Sequence, residues 1–258
     1  MAIIEERLNK DKHRKINLKN NGFSEAVRSL LGLALTNEQK SALDLYEQEL
    51  LEWNQRISLT AIRDQQGVRI KHFLDSLTVL LAWDKQAPPQ TVVDIGTGAG
   101  FPGIILKLVW PQARVTLVES VHKKADFCRH MVSSLGLEGV TVLTERAEVV
   151  GQAAEHRHQY DLAVARAVAR MPILMEYLLP LVRRDGVVLA MKGETAPAET
   201  QDASHAIHIL GGKIHKLVKV ELPGVVEERF IVVVHKVART PDEYPRRVGF
   251  PSKSPLCL

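Results

Sequence analysis

Between Thr36 and Ile57 apolar residues recur at helical spacing, so that Leu43, Tyr46, Leu50, Trp53 and Ile57 share one face. Thr36 stands where a capping residue belongs, and Gln39, three residues on, completes a capping box. The spacing predicts a second amphipathic helix over Val68 to Trp83, with Ile70, Phe73, Leu74, Leu77 and Leu81 on its buried side. Ala87, Pro88 and Pro89 break this pattern, and from Thr91 the texture changes. Short β-branched runs (TVVDI, ARVTLVE, VTVL, DLAVA, GVVLAMK) now alternate with helical ones such as GIILKLV, VHKKADFCRHMVSSLG and MPILMEYLLPLV. Alternation of this kind predicts an α/β fold with a mostly parallel sheet covered on both faces. The last two runs, KIHKLVKVEL and RFIVVVHKV, are separated only by PGVVEE, too short for a crossover helix, so they should pair antiparallel in a sheet of about seven strands.

The 258 residues suffice for one large domain with a smaller appendage, and 45% hydrophobic with 25% charged residues is the balance of a folded globular chain. No apolar run approaches the roughly 18 residues that a bilayer span needs, and the charged start MAIIEERLNKDKHRK is unlike a secretion signal. Cys128 and Cys257 are too few and too distant for a disulfide framework or a paired-cysteine metal site. A cytoplasmic protein, monomeric and not bound to membranes, is the expectation. The net charge of +4 is mild, but its distribution is not. Arg7, Lys10, Lys12, Arg14, Lys15 and Lys19 crowd the start, and Arg239, Arg246, Arg247 and Lys253 the end. The chain therefore divides into a basic segment with no expected fold (1–35), a helical extension (36–86), a core (87–238) and a basic, proline-rich tail (239–258). Pro241, Pro245, Pro251 and Pro255 should hold that tail extended, with Arg246, Arg247 and Lys253 offered to phosphates.

The strongest chemical signal is VVDIGTGAGFPG, a strand running through Asp94 into Gly96, Gly98, Gly100 and Gly103 ahead of a helix. Glycines let the backbone turn tightly and approach a ligand closely. Gly98, Gly100 and Gly103 also satisfy the dinucleotide spacing, with Glu119 ending the next strand, so an NAD-dependent oxidoreductase is a rival reading. Against it, Asp94 would repel a pyrophosphate and Pro102 removes an N–H that should donate to it. S-adenosylmethionine carries no phosphate and two cationic groups, which suits an acid beside the loop. Glu119 would then accept hydrogen bonds from the ribose hydroxyls, and Glu148 reaches the same rim with Ala147 beside the adenine.

The run VVDIGTGAGFPGI, preceded by ISLT (Ile57 to Thr60) and KHFLDSL (Lys71 to Leu77), is followed by ARA (Ala165 to Ala167), MKG (Met191 to Gly193), ERFIVVV and YPRRVGFPSKSPL. This ordered set resembles the small-subunit ribosomal RNA guanine-N7 methyltransferase family, also called glucose-inhibited division protein B, over about Thr36 to the C-terminus. The resemblance implies a class I, Rossmann-like methyltransferase fold with a helical N-terminal extension. It also implies S-adenosylmethionine as donor and N7 of a guanine in 16S ribosomal RNA, free or in an assembling small subunit, as acceptor. Cofactor contacts carried over by motif fall on Gly96, Phe101, Ala147, Glu148 and Arg166, beside Asp94, Gly98, Gly100 and Glu119 from the loop itself. Ser58 departs from the family's usual Asn before Leu-Thr.

Guanine N7 already exposes a lone pair, so its methylation needs alignment and electrostatics instead of proton abstraction. The sequence agrees: no Asn-Pro-Pro-Tyr-type motif follows DLAVA, where Arg166 stands, and Cys128 falls within a helix. Arg166 and Lys192 are the expected positioning cations, and Lys192, Arg229, Arg246, Arg247 and Lys253 the expected RNA contacts. His156 with His158 and His205 with His208 lack a third ligand, so no metal is expected. His72 should be a hydrogen-bonding partner on the face of Asp75. A cofactor-binding RNA chaperone or assembly factor without turnover is the competing class of function.

Overall fold

The computed structural model describes residues 21–256. Two helices open it, α1 (Asn21–Leu31) and α2 (Asn37–Trp53). A broken helical stretch follows: α3 (Gln65–Gly67), a π-helical segment (Val68–Leu74), α4 (Asp75–Leu77) and α5 (Val79–Ala82). The capping box forms as expected, with Thr36 N–H donating to Gln39 Oε1 at 2.9 Å and Gln39 N–H to Thr36 Oγ1 at 3.2 Å. Two expectations change here. The second helix is not one regular α-helix: the π-wound segment turns Val68, Ile70, Phe73 and Leu74 inward, while Leu81 is left exposed. The boundary at residue 35 also moves, because α1 buries Phe23, Ala26 and Val27 against the same core as α2. The basic run at residues 1–20, and Cys257, lie outside the described residues.

The sheet follows as β1 (Thr91–Ile95), β2 (Arg114–Val118), β3 (Val140–Leu143), β4 (Tyr160–Arg166), β5 (Val182–Lys192), β6 (Gly212–Val220) and β7 (Arg229–Lys236). Its strand order is β3-β2-β1-β4-β5-β7-β6. β7 is the reversed strand, antiparallel to both β5 and β6, and the remaining pairs are parallel. The helices between strands are α6 (Gly103–Val109), α7 (His122–Ser134), α8 (Ala147–Gln152), α9 (Met171–Leu178), α10 (Ala196–Asp202) and α11 (Ser204–Ile209), and α12 (Phe250–Lys253) lies in the tail.

Successive strand residues point to opposite faces, and the core divides accordingly. Val92, Leu162, Val164, Val187 and Leu189 face a cluster that contains Tyr46, Phe73, Ile104 and Phe127. Val93, Ile95, Ala163, Ala165, Val188 and Ala190 face the other way, onto Met171, Leu174, Met175 and Leu178 of α9. Both faces are covered, which is why these strands read as near-continuous apolar runs. The chain reverses direction across the sheet between β1 and β4, so the crevice for a ligand opens at the C-terminal ends of those strands.

The tail differs most from expectation. It is docked on the body instead of projecting from it. Arg157 donates to the carbonyls of Tyr244 at 2.6 Å and Pro241 at 2.9 Å, and Gln152 Nε2 to that of Pro245 at 2.8 Å. Arg246 lies on Glu176, a fully buried acid of α9. Its Nε–H donates to Oε1 at 2.9 Å, its NH2 to Oε2 at 2.7 Å, and its backbone N–H also donates to Oε1, at 2.8 Å. Arg246 is thus a structural residue and is withdrawn from the RNA contacts, whereas Arg247 and Lys253 remain exposed. Replacing Arg246 by Ala strips a buried carboxylate of its counter-charge and should destabilise the protein by roughly 3 kcal/mol. Urea unfolding of the variant against Arg247→Ala, which should change little, checks this.

Candidate active site

β1 ends in a buried carboxylate. Asp94 Oδ2 accepts from Thr97 Oγ1 at 2.6 Å and from the Gly103 N–H at 2.8 Å, clamping both ends of the glycine loop, while its Oδ1 is buried with no partner among the described residues. Asp94 therefore organises the loop from beneath. Burial pushes its carboxyl up to about 6, against the pull of Thr97, the Gly103 N–H and Arg166. From the next strand Glu119 holds the loop from the side, accepting from Gly98 N–H at 3.0 Å through Oε2 and from Val121 N–H at 2.8 Å through Oε1.

Two glycines show why the loop has this composition. Gly98, at φ +63°, has open space where a side chain would start, so its backbone is bare to an incoming ligand. Gly100, at φ +89°, has none: a Cβ there would run into the Tyr46 hydroxyl and come within 2.5 Å of Ile104 Cδ1. Tyr46 in turn donates to Ala99 O at 2.5 Å and stacks on Phe101, with ring centroids 5.1 Å apart. Cys128, fully buried, sends its thiol to Gly98 O at 3.3 Å, and burial raises its pKa, so it stays a packing thiol.

Two hollows flank the end of β4. One is lined by Gly96, Val118, Ser120, Ala147, Glu148 and Val168, and so holds three of the expected cofactor residues, Gly96, Ala147 and Glu148; Asp94, Gly98, Gly100, Phe101 and Glu119 do not line it, and Arg166 lines the other hollow. Glu148 there accepts from the N–H of Gly249 in the tail at 2.9 Å. The other hollow contains Asp75, Arg166, Met191, Lys192, Arg229 and Phe230. Arg166, Lys192 and Arg229 were expected separately, and the fold brings them to one wall.

None of the three cations is loose. Arg166 NH1 donates to Asp75 Oδ2 at 2.8 Å, its NH2 meets His72 Nδ1 at 3.2 Å, and its guanidinium lies over Phe101, 5.3 Å from the centroid. Arg229 NH1 reaches the other oxygen of Asp75 at 3.5 Å, and its buried Nε–H has no partner among the described residues. Lys192 donates to Ala169 O at 2.9 Å and pairs with Glu199 at 2.6 Å. Immediately after Arg166 the chain turns through Ala167 at φ +55°, a left-handed conformation that a non-glycine residue adopts at some cost. His72 closes the network: Nε2 meets Thr60 Oγ1 at 2.8 Å, and the ring stacks on Phe101 at 4.7 Å. Burial, with Arg166 and Arg229 nearby, brings its pKa down to about 3. Sequence reasoning placed His72 as a structural partner but missed Asp75 as the shared anchor; the run KHFLDSL held both.

An open seven-stranded sheet with one reversed strand, a glycine loop after β1 and acids at the ends of β1 and β2 define a class I methyltransferase. In fold the chain is similar to a SAM-dependent methyltransferase from Aquifex aeolicus, at 19% identity and TM-score 0.51 over 67% of this chain and 94% of that one. It is likewise similar to geranyl diphosphate methyltransferase, at 11% identity and TM-score 0.51 over 63% of this chain and 76% of that one. The family profile of the rRNA small subunit methyltransferase G proteins matches residues 39–229. The chain is 50% identical over 225 residues to ribosomal RNA small subunit methyltransferase G of Roseiflexus sp. (strain RS-1), covering 87% of this chain and 95% of that one. To the protein of the same name from Halalkalibacterium halodurans it is 44% identical, covering 87% and 94%. The chain belongs to the rRNA small subunit methyltransferase G family.

The two shifted groups oppose each other in acid. His72 has a folded pKa below its unfolded value, so stability from its neutral form is present above pH 6.5 and is lost as pH falls; between pH 7 and 5 the loss is about 2 kcal/mol. Asp94 has a folded pKa above its unfolded 3.8, so protonation over the same interval returns about 1 kcal/mol. His72→Phe, which keeps the stacking surface but cannot titrate, should therefore be less stable than wild type at pH 7, with that deficit shrinking by about 2 kcal/mol at pH 5. Urea melts at the two pH values measure it.

Proposed function

We propose that the protein transfers a methyl group from S-adenosylmethionine to N7 of a guanine in small-subunit ribosomal RNA, acting as a monomer in the cytoplasm. One observation carries this reading: an acid-framed glycine loop and a hollow walled by Arg166, Lys192 and Arg229 stand on either side of the end of β4. Family membership supports the ribosomal substrate over the chaperone and oxidoreductase alternatives.

The residues fit the donor. The bare backbone at Gly98, the unpartnered Asp94 Oδ1 below it and the two Glu119 oxygens beside it form a negative cradle for a ligand with a sulfonium, an ammonium and a diol. Gly96, Phe101, Ala147 and Glu148 would complete the walls, and the hollow beside Ala147 suits an adenine. When bound, the donor supplies an electrophilic methyl carbon next to a good thioether leaving group.

For the acceptor, Met191 and Phe230 offer apolar surface to a base, and Arg166 and Arg229 can donate to guanine O6 or to a flanking phosphate. Asp75 and His72 fix the Arg166 guanidinium in one orientation, so the alignment is built before the base arrives. His72 is held neutral and engaged on both nitrogens, which fits an acceptor that has no proton to lose.

Loss of 7-methylguanosine from the 16S RNA of a strain lacking the protein, read by nucleoside mass spectrometry, tests the reaction, and unchanged 7-methylguanosine sinks it. In vitro, Arg166→Ala should lower kcat/KM on the order of 100-fold, whereas Cys128→Ala should stay active. Gly98→Val should fold but lose donor binding by calorimetry. Of the tail cations expected to contact RNA, Arg247 and Lys253 are exposed. Replacing both by Ala should flatten the slope of log affinity against log salt for single-stranded ribosomal RNA by up to about 1.4 units. Arg246→Ala tested in the same titration should act through folding instead.

A further inference from the structure

At the end of the sheet remote from the glycine loop, three side chains from three distant parts of the sequence converge. Asp84 follows α5 in a turn held by Trp83, whose Nε1–H donates to Ala87 O at 2.9 Å. His235 comes from β7, opposite Val187 at the start of β5. His215 sits on edge strand β6, where the register with β7 slips between Ile214 and Lys216. A bulge of this kind re-aims a side chain. The two imidazoles stack with centroids 4.3 Å apart and planes 16° from parallel. Both Nε2 atoms address the same oxygen, Asp84 Oδ2, at 3.4 Å from His215 and 3.2 Å from His235.

Those distances have a second meaning. Ligand bonds of 2.0 to 2.1 Å set the edge of a tetrahedral coordination shell at about 3.3 to 3.4 Å. The three donor atoms lie within 4.8 Å of one another, and both imidazoles are partly exposed, so small ring rotations close the shell. We propose that Asp84, His215 and His235 form a binding site for a divalent transition-metal ion of zinc's class, with water in the fourth position. Two imidazoles and one carboxylate are a donor set for zinc, not for calcium or magnesium, which prefer oxygen alone. The histidine pairs considered from spacing lay within single segments. This site instead joins residues 131 and 151 positions from Asp84, which only the folded sheet assembles. The ion would bind the end of the helical extension to the sheet's antiparallel edge. Lys213, register partner of His235, brings a positive charge to that edge, so micromolar affinity is expected.

The test uses the full chain, freed of any purification tag and of metal by chelation, titrated with zinc chloride by calorimetry. The expected result is one ion per chain at micromolar affinity, with a raised melting temperature. Asp84→Asn and His235→Gln should each weaken binding by more than the roughly 10- to 100-fold that loss of an outer-shell partner costs, while melting without metal like the wild type. Cobalt substituted for zinc should give the intense visible absorption of a tetrahedral site. No uptake at micromolar zinc, or uptake unchanged in both variants, would overturn the proposal and leave two histidines hydrogen-bonded to one carboxylate. Methyl transfer should be indifferent to chelation, so failure here is distinct from failure of the catalytic reading.

Discussion

Asp75 is the point on which the site turns. It is buried and stands on the helical extension, yet both of its oxygens are taken by arginines of the sheet, Arg166 at the end of β4 and Arg229 at the start of β7. A buried carboxylate with two guanidinium partners fixes where the extension sits, because moving it by even a fraction of a turn would leave charge uncompensated in the interior. The π-wound segment fits this role. It sets Phe73 and Leu74 into the core and carries His72 into contact with Arg166 just before Asp75 is reached. The extension thus belongs to the active site as a wall.

What the sequence made legible follows from which forces act locally. The capping box at Thr36 and Gln39, the strand runs and the short PGVVEE link are decided within a few residues, and each appears in the fold as read. The glycine loop was legible for the same reason, since its backbone demands glycine whatever surrounds it. Contacts between distant segments were not. Four prolines and three cations in the tail suggested an extended arm, but the buried Glu176 of α9 was waiting for Arg246, and an acid in the middle of MPILMEYLLPLV gives no local sign that it needs a partner. The π-helix escaped because its apolar spacing is close to that of an α-helix, whereas α1 was legible and missed: Phe23, Ala26, Val27, Leu30 and Leu31 recur at helical spacing and are the residues it packs on the core.

The docked tail changes how the two ends of the cofactor crevice relate. Glu148, at the start of α8, accepts from Gly249, and Tyr177 of α9 meets Ser252 at 3.2 Å. The residues expected to border the donor are therefore braced from behind by the last turns of the chain, and Arg157 and Gln152 draw the tail onto the same helix. In this arrangement the tail's proline content limits the conformations it can adopt once detached, which lowers the entropy lost on docking.

The clamp of Tyr46 on Ala99 carries a thermodynamic consequence. The glycine loop is ordered by contacts made during folding: a phenol from α2 above, Asp94 below, Glu119 beside it and a thiol from α7. Its conformational entropy is given up then and not when a ligand arrives, so a ligand meets a rigid surface and keeps more of its interaction energy as affinity. The same coupling runs in reverse. Any ligand held by this loop favours the docked extension by as much as the docked extension favours the ligand, so α2 is linked to the cofactor site without touching the cofactor.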